Sequence, residues 1–367
     1  MTPNTQEAEQ LNSIRNEIDA IDAQIQELIG ERARCAQKVA DIKTQGGKVE
    51  AVFYRPEREA QVLRAVKQRN NSPLSDNDMA RLFREIMSAC LALEQPIKVA
   101  YLGPEGSYTH AATIKQFGSF AQPYPVSTIE DVFKSVETGV THYGLVPVEN
   151  STEGVVNATQ DSLITMRAHV TGEVDLAIHH CLLSNAKDMG SITKVVAHAQ
   201  ALGQCRSWLK NNLPGVELEA VESNALAAKM AQADTSLAAI ASEQAAVLYQ
   251  LTILKSHIED VSDNTTKFWV IGSETTCPSG EDKTALVLSI QNRAGALAKI
   301  LDSFAKRDIG MTRIVSRPSN NKKWDYVFFI DIVGHQTESK VAEALNEVEA
   351  QTSFFKLLGS YPVSPLE

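Results

Sequence analysis

The chain has 367 residues, 22% charged and 43% hydrophobic, with a formal net charge of -10 at pH 7. That length exceeds one ordinary core and argues for two or three domains. The acidic balance argues against nucleic acid as a partner, and the lack of any bilayer-length apolar run argues against a membrane.

The first block, to Gln95, reads all-helical. Leu11, Ile14, Ile18, Ile21, Ile25 and Leu28 alternate steps of three and four, one stripe of a long helix. The rhythm continues through Arg32, Cys35, Val39 and Ile42, so a guanidinium occupies a position meant for burial. Such a charge is costly unless it meets an anion. Arg32 and Lys43 lie about three turns apart on one side, about 16 Å along the axis. Arg15 lies about 26 Å from Arg32 and faces elsewhere, so it joins them only from a second, antiparallel copy. After a Gly46-Gly47 break, Pro56 opens a second helix carrying Arg58 and Glu59. Ser75 and Asp78 have capping-box spacing for a third, whose stripe Met79, Leu82, Phe83, Ile86, Met87, Cys90 runs on to Glu94. Taken singly, Arg58 and Glu59 read as a solvated first turn and Glu94 as a frayed end.

Beyond Pro96 short β runs alternate with helices: IKVAYLG, YGLVPVE, KVVAHA, LAAIA and KFWVIG, with Ala-rich helices at 224–233 and 242–250. This argues for an α/β domain with a largely parallel sheet. Three turns carry polar groups: Gly103-Pro104-Glu105-Gly106-Ser107, Glu149-Asn150-Ser151, and Asp263 to Phe268 with Thr266 and Lys267. Ordinary turn chemistry accounts for each alone. Five scattered cysteines without C-x-x-C spacing read as reduced thiols of a cytoplasm. The pair His179-His180 has no H-x-x-x-H partner or nearby cysteine, so it reads as a strand position, and no metal is expected. Gly272–Lys283 reads as a linker. The last block has the order βαββαβ: strand 284–291, helix 295–308, strand 309–318, a turn at Asn320-Asn321, strand 324–334, helix 338–351, strand 354–360. That is a ferredoxin-like order.

Together these segments resemble the bifunctional chorismate mutase–prephenate dehydratase family over about residues 5–362. The first block carries L-x-x-x-R-x-x-I-D at Leu11–Asp19, E-R at Glu31-Arg32, Lys43, and R-x-x-R-E at Arg55–Glu59. The middle carries G-P-x-G-[ST], P-[VI]-E-N-[ST], Q-A-L-x-Q-C at Gln200–Cys205, S-N-A at Ser223–Ala225 and D-N-x-T-[RK]-F. The resemblance implies an all-α mutase domain over 5–95, a two-lobed periplasmic-binding-like dehydratase domain over 96–274, and a ferredoxin-like ACT domain over 284–361. It also implies a cytoplasmic homodimer or larger homo-oligomer without cofactor. Chorismate would meet Arg32 and the partner's Arg15 at its carboxylates, Lys43 and Glu94 at its ether oxygen and Glu59 at its ring hydroxyl, with Arg55, Arg58 and Cys90 nearby. Glu94 donates only when protonated, so burial should raise its pKa. Prephenate would meet Ser107, Glu149, Asn150, Ser151, Gln200, Ser223, Thr266, Lys267 and Phe268. Thr266 is the family's essential residue, and Glu149 the candidate tuned acid. Phenylalanine would bind Gly295, Ala296, Leu297, Ser316, Arg317 and Pro318 as a feedback effector.

The chain departs from the family pattern at several places. Lys267 replaces an arginine and loses its bidentate fork. Ala199 replaces a proline, Val315 the ACT motif's glutamate, Gly310 an Asn and Ala294 a Pro. These departures keep two alternatives open: a ligand-binding sensor with lapsed catalysis, or an active mutase with an inactive dehydratase.

Overall fold

The computed structural model describes residues 3–45, 54–291, 293–318 and 326–366. The Gly46-Gly47 break, Asn292 and the Asn320-Asn321 turn fall outside them. Helix α1 (Pro3–Gln45) is one continuous rod. Every residue from Glu7 to Ile29 is exposed. Near its C-terminal end α1 packs on α3 (Asp76–Ala92), where the half-buried residues Ala33, Ala36, Ala40 and Lys43 recur at helical spacing. The apolar seam therefore lies one residue round the helix from the face its own chain covers. Within the protomer Arg32 is only half-buried.

Helix α2 (Pro56–Arg69) starts on the proline its sequence offers, and Ser75 caps α3 by accepting from the Asp78 amide at 3.1 Å. Two arginines fasten this block to the rest. Arg84 binds Glu59 at 2.9 Å and the carbonyls of Lys115 and Gln116. Arg64 donates to the carbonyls of Ser279, Glu281 and Val363.

The first lobe comprises β1 (Lys98–Leu102), α4 (Tyr108–Phe117), β2 (Gln122–Val126), α5 (Ile129–Glu137), β3 (Tyr143–Asn150), β4 (Gly154–Val155), α6 (Asn157–Thr165) and β5 (His169–Ala177). The second comprises β6 (Cys181–Ser184), β7 (Lys194–His198), α7 (Ala199–Gln204), α8 (Arg206–Asn212), β8 (Glu217–Val221), α9 (Asn224–Ala233), β9 (Leu237–Ala241), α10 (Glu243–Tyr249) and β10 (Thr252–Lys255). The chain then returns to the first lobe as β11 (Thr265–Gly272). The sheet orders are β2-β1-β3-β11-β5, with β4 on β3, and β10-β6-β9-β7-β8. Both sheets are mixed rather than largely parallel. The returning β11 runs antiparallel to β3 and β5, and β6 antiparallel to β9 and β10. Two crossovers join the lobes, one leading out after β5 and one returning into β11. His179-His180 lies in one of them, between β5 and β6, not in a strand.

The C-terminal block has β12 (Asp282–Ile290), α11 (Ala296–Ala305), β13 (Met311–Pro318), β14 (Tyr326–Val333), α12 (Ser339–Glu349) and β15 (Phe354–Pro362) in the order β13-β14-β12-β15. This is the ferredoxin-like arrangement. One face packs on its own helices through Leu286, Ile330 and Phe304. The other packs on the first lobe through Val287, Phe329 and Tyr361 against Val170 and Trp269. Gly359, at φ 146, lets β15 approach the Val170 carbonyl, where any Cβ would collide. Among the described residues no helix is long and apolar enough to cross a membrane.

Candidate active sites

In the helical block, charges from three elements face one another. Glu94, just past α3, lies in the field of Lys43 and Arg32 of α1, and Lys43 in the field of Glu94 and Arg55. Burial holds the Glu94 carboxyl above its usual range although both cations oppose this. Burial lowers the Lys43 ammonium; Glu94 opposes this and Arg55 adds to it. Cys90 of α3 is buried. Four of the expected chorismate residues, Arg32, Lys43, Arg55 and Glu94, are thus brought together on one protomer.

Arg15 is not among them; it stands in the exposed length of α1. Arg58 is exposed, while Glu59 turns inward to Arg84. The reason is helical phase. Glu59, Leu63 and Val66 form the inner face of α2, and position 58 lies about 100° away. Burial raises the Glu59 carboxyl, opposed by Arg84. Within the protomer Glu59 is thus a buried partner of Arg84, the arginine that reaches the first lobe.

Between the lobes lies a cleft of about 340 Å³. Thr266 and Asn150 project into it from β11 and β3, and Gln200, Gln204, His198 and Asn224 from the second lobe. Asn150 Nδ2 donates to Thr266 Oγ1 at 2.8 Å and to Asn264 Oδ1 at 2.8 Å. Its Oδ1 accepts from Thr152 and Glu153, which fixes the amide orientation. With its oxygen accepting from Asn150, the Thr266 hydroxyl is oriented to donate its own proton. Thr266 is 8% exposed, so that donor works in a poorly solvated place. Across the cleft, His180 Nδ1 lies 2.7 Å from the Tyr108 hydroxyl and Nε2 2.7 Å from Gln204 Oε1. Burial depresses the His180 pKa and favours the neutral ring, which can donate to Gln204 and accept from Tyr108.

Of the expected prephenate residues, Asn150, Gln200, Thr266 and Phe268 line the cleft. Ser107 and Ser223 instead cap α4 and α9, accepting from the His110 and Leu226 amides. Ser151 braces the turn, accepting from the Thr265 amide at 3.0 Å. Glu149 and Lys267 leave the cleft altogether. Side chains alternate along a strand, so neighbours of Asn150 and Thr266 point to the opposite face. There Glu149 pairs with Arg313 of β13 at 2.8 Å, and Lys267 with Glu173 and Asp175, both at 3.2 Å. The two carboxylates raise the Lys267 pKa against the opposing effect of burial. Tyr108, His180, Gln204, Asn224 and Asn264 line the cleft without having been singled out. Gln204, Asn224 and Asn264 sit inside quoted motifs, and Tyr108 lies one residue past another.

In the C-terminal block, Gly295 precedes α11 at φ 78 and Ala296-Leu297 open the helix. The register pairs Tyr326 with both Ile290 and Pro318, so Ser316-Arg317-Pro318 ends its strand at the sheet end where α11 begins. Arg317 binds Asp161 of α6 at 2.7 Å.

Residues 14–95 match the family model for chorismate mutase type II, 99–276 that for prephenate dehydratase, and 284–350 that for the ACT domain. The chain is 50% identical over 361 residues to the bifunctional chorismate mutase/prephenate dehydratase of Pseudomonas aeruginosa, covering 98% of this chain and 99% of that one. It belongs to the bifunctional chorismate mutase/prephenate dehydratase family. Another member, from Neisseria gonorrhoeae, is 47% identical over 355 residues, 96% of this chain and 97% of that one. Both catalytic domains of the family are thus present, in order, followed by the ACT domain. Among solved structures, a prephenate dehydratase from Arthrobacter aurescens in complex with L-Phe aligns with TM-score 0.67 at 31% identity, over 72% of this chain and 90% of that one.

Proposed function

We propose that this chain rearranges chorismate to prephenate in its helical block and converts prephenate to phenylpyruvate in the interlobe cleft, with phenylalanine restraining the second step. The observation that carries the dehydratase reading is the Asn150–Thr266 pair at 2.8 Å facing the interlobe cleft. Loss of CO2 from prephenate drives electrons toward the ring carbon that bears hydroxyl, and hydroxide leaves as aromaticity forms. Hydroxide is a poor leaving group, so a donor aimed at it lowers the barrier. Thr266 supplies the hydrogen bond, Asn150 orients it, and Tyr108, His180 and Gln204 complete the polar wall.

The mutase step is pericyclic and needs only a compact conformer and a donor for charge growing on the ether oxygen. Arg32 holds a carboxylate, while Lys43 and protonated Glu94 serve the ether oxygen, with Arg55 beside them. The second carboxylate takes Arg15 of the partner subunit, which makes the working unit at least a homodimer. An uncovered seam supports this: Leu11, Ile14, Ile18, Ile21, Ile25 and Leu28 all lie exposed in the protomer. Each contributes about 1–2 kcal/mol when covered. The domain limits are 5–95, 96–274 and 284–361, and five unbridged cysteines favour a reducing cytoplasm. Phenylalanine binds at the ACT end formed by Gly295–Leu297 and Ser316–Pro318.

Chorismate supplied to purified protein tests the reading. Phenylpyruvate should accumulate, and added phenylalanine should slow it. Prephenate accumulating without phenylpyruvate would overturn the dehydratase assignment.

A further inference from the structure

Away from both sites, three side chains converge where the lobes are joined. The chain passes from the first lobe to the second through residues 178–180 and returns through 256–264. His179 lies on the outgoing crossover, His257 and Glu259 on the return. His179 Nδ1 stands 2.8 Å from Glu259 Oε1 and 3.1 Å from His257 Nδ1, and His257 Nδ1 stands 3.5 Å from Glu259 Oε1. The Glu259 side chain is buried and its Oε2 accepts from the His180 amide at 2.8 Å, so its orientation is fixed. Ile258 donates its amide to the His180 carbonyl, tying the crossovers together at this point. His257 adopts φ 54, a left-handed backbone uncommon outside glycine and asparagine.

With protons alone, one N–H on His179 is shared between Glu259 Oε1 and His257 Nδ1, and the 3.5 Å contact of His257 with Glu259 stays long. A cation satisfies all three atoms at once. The triangle is small enough for one ion to stand about 2.0–2.2 Å from each corner, as in a tetrahedral site. Two imidazoles and one carboxylate suit zinc and its first-row neighbours, whereas magnesium and calcium favour oxygen alone. Both histidines reach solvent along a groove beside α10, leaving a fourth position for water.

We propose that His179, His257 and Glu259 form a divalent transition-metal site of the zinc class that staples the two interlobe crossovers. Sequence spacing does not reveal it, because about 80 residues separate the ligands and the fold alone unites them. The bound ion fixes one crossover against the other, and with them the hinge of the lobes.

The test uses the full chain, freed of metal with a chelator and titrated with cobalt(II) and then zinc(II). One cobalt per chain should bind with four-coordinate visible absorption, no thiolate charge-transfer band, and displacement by zinc. His257→Asn keeps the left-handed backbone and should weaken binding about 10-fold or more while thermal unfolding of the metal-free chain stays unchanged, which reports folding. Glu259→Gln should do the same, whereas Cys35→Ser and Cys277→Ser, which remove the exposed thiols, should leave binding intact. Absent cobalt absorption, or absorption unchanged in His257→Asn, would overturn the site.

Discussion

In the helical block, the apolar seam from Leu11 to Leu28 is exposed on the protomer, and Arg15 stands in that exposed length, apart from Arg32, Lys43 and Glu94. In the interlobe cleft, Thr266 is 8% exposed and each lining group named above belongs to the same chain. On the proposed reading, the first region is half of a site and the second a whole one. The difference follows from what each fold can enclose. A single long helix has no second layer of its own to cover its stripe, which is why the proposed site calls on another chain. Two lobes joined by paired crossovers form a cavity by facing each other.

The largest expected effect lies in the self-contained region. Thr266→Ala should lower dehydratase turnover about 10²–10³-fold, the usual cost of one preorganised donor, with mutase turnover unchanged. A mutant forming phenylpyruvate at the wild-type rate would break the contrast by removing its complete site. On the other side, Ile21→Asp places a charge mid-seam. It should shift the protein toward monomer by sedimentation and lower mutase turnover about 10-fold or more, since a buried charge opposite an apolar helix costs several kcal/mol. Dehydratase turnover should change less than twofold.

A smaller effect concerns Glu94. Burial raises its pKa, and the acid form is the donor, so mutase activity should be full at low pH and fall as pH rises through that raised value. Glu94→Gln, which cannot ionise, should flatten that limb by severalfold at its alkaline end. Superimposable pH profiles would remove Glu94 from the ether-oxygen role.

Much of this was legible in the sequence. The seam was visible because a 3.6-residue period needs no tertiary knowledge. Interior strands such as β7 and β9 announced themselves as apolar runs. The strands β2, β8 and β10 did not, because each is a sheet edge with mixed or proline-containing sequence. Motif membership identified the cleft segments, but it does not tell which side of a strand a residue takes. That is why Glu149 and Lys267, adjacent to true lining positions, turned out to face the ACT side of the sheet. Glu59 is the helical counterpart: phase, not motif membership, turns it to the buried face of α2. The His179–His257–Glu259 triangle was illegible because only the return of the chain to the first lobe creates it.

The central claim, that the mutase pocket spans two chains while the cleft belongs to one, is tested by mixing two inactive mutants. Arg15→Ala and Arg32→Ala should each lose mutase activity and keep dehydratase activity. After joint dissociation and reassociation, about half the dimers are mixed, each with one intact pocket, so mutase activity should return to about a quarter of wild type. Activity no higher than that of the separate mutants would contradict the shared pocket.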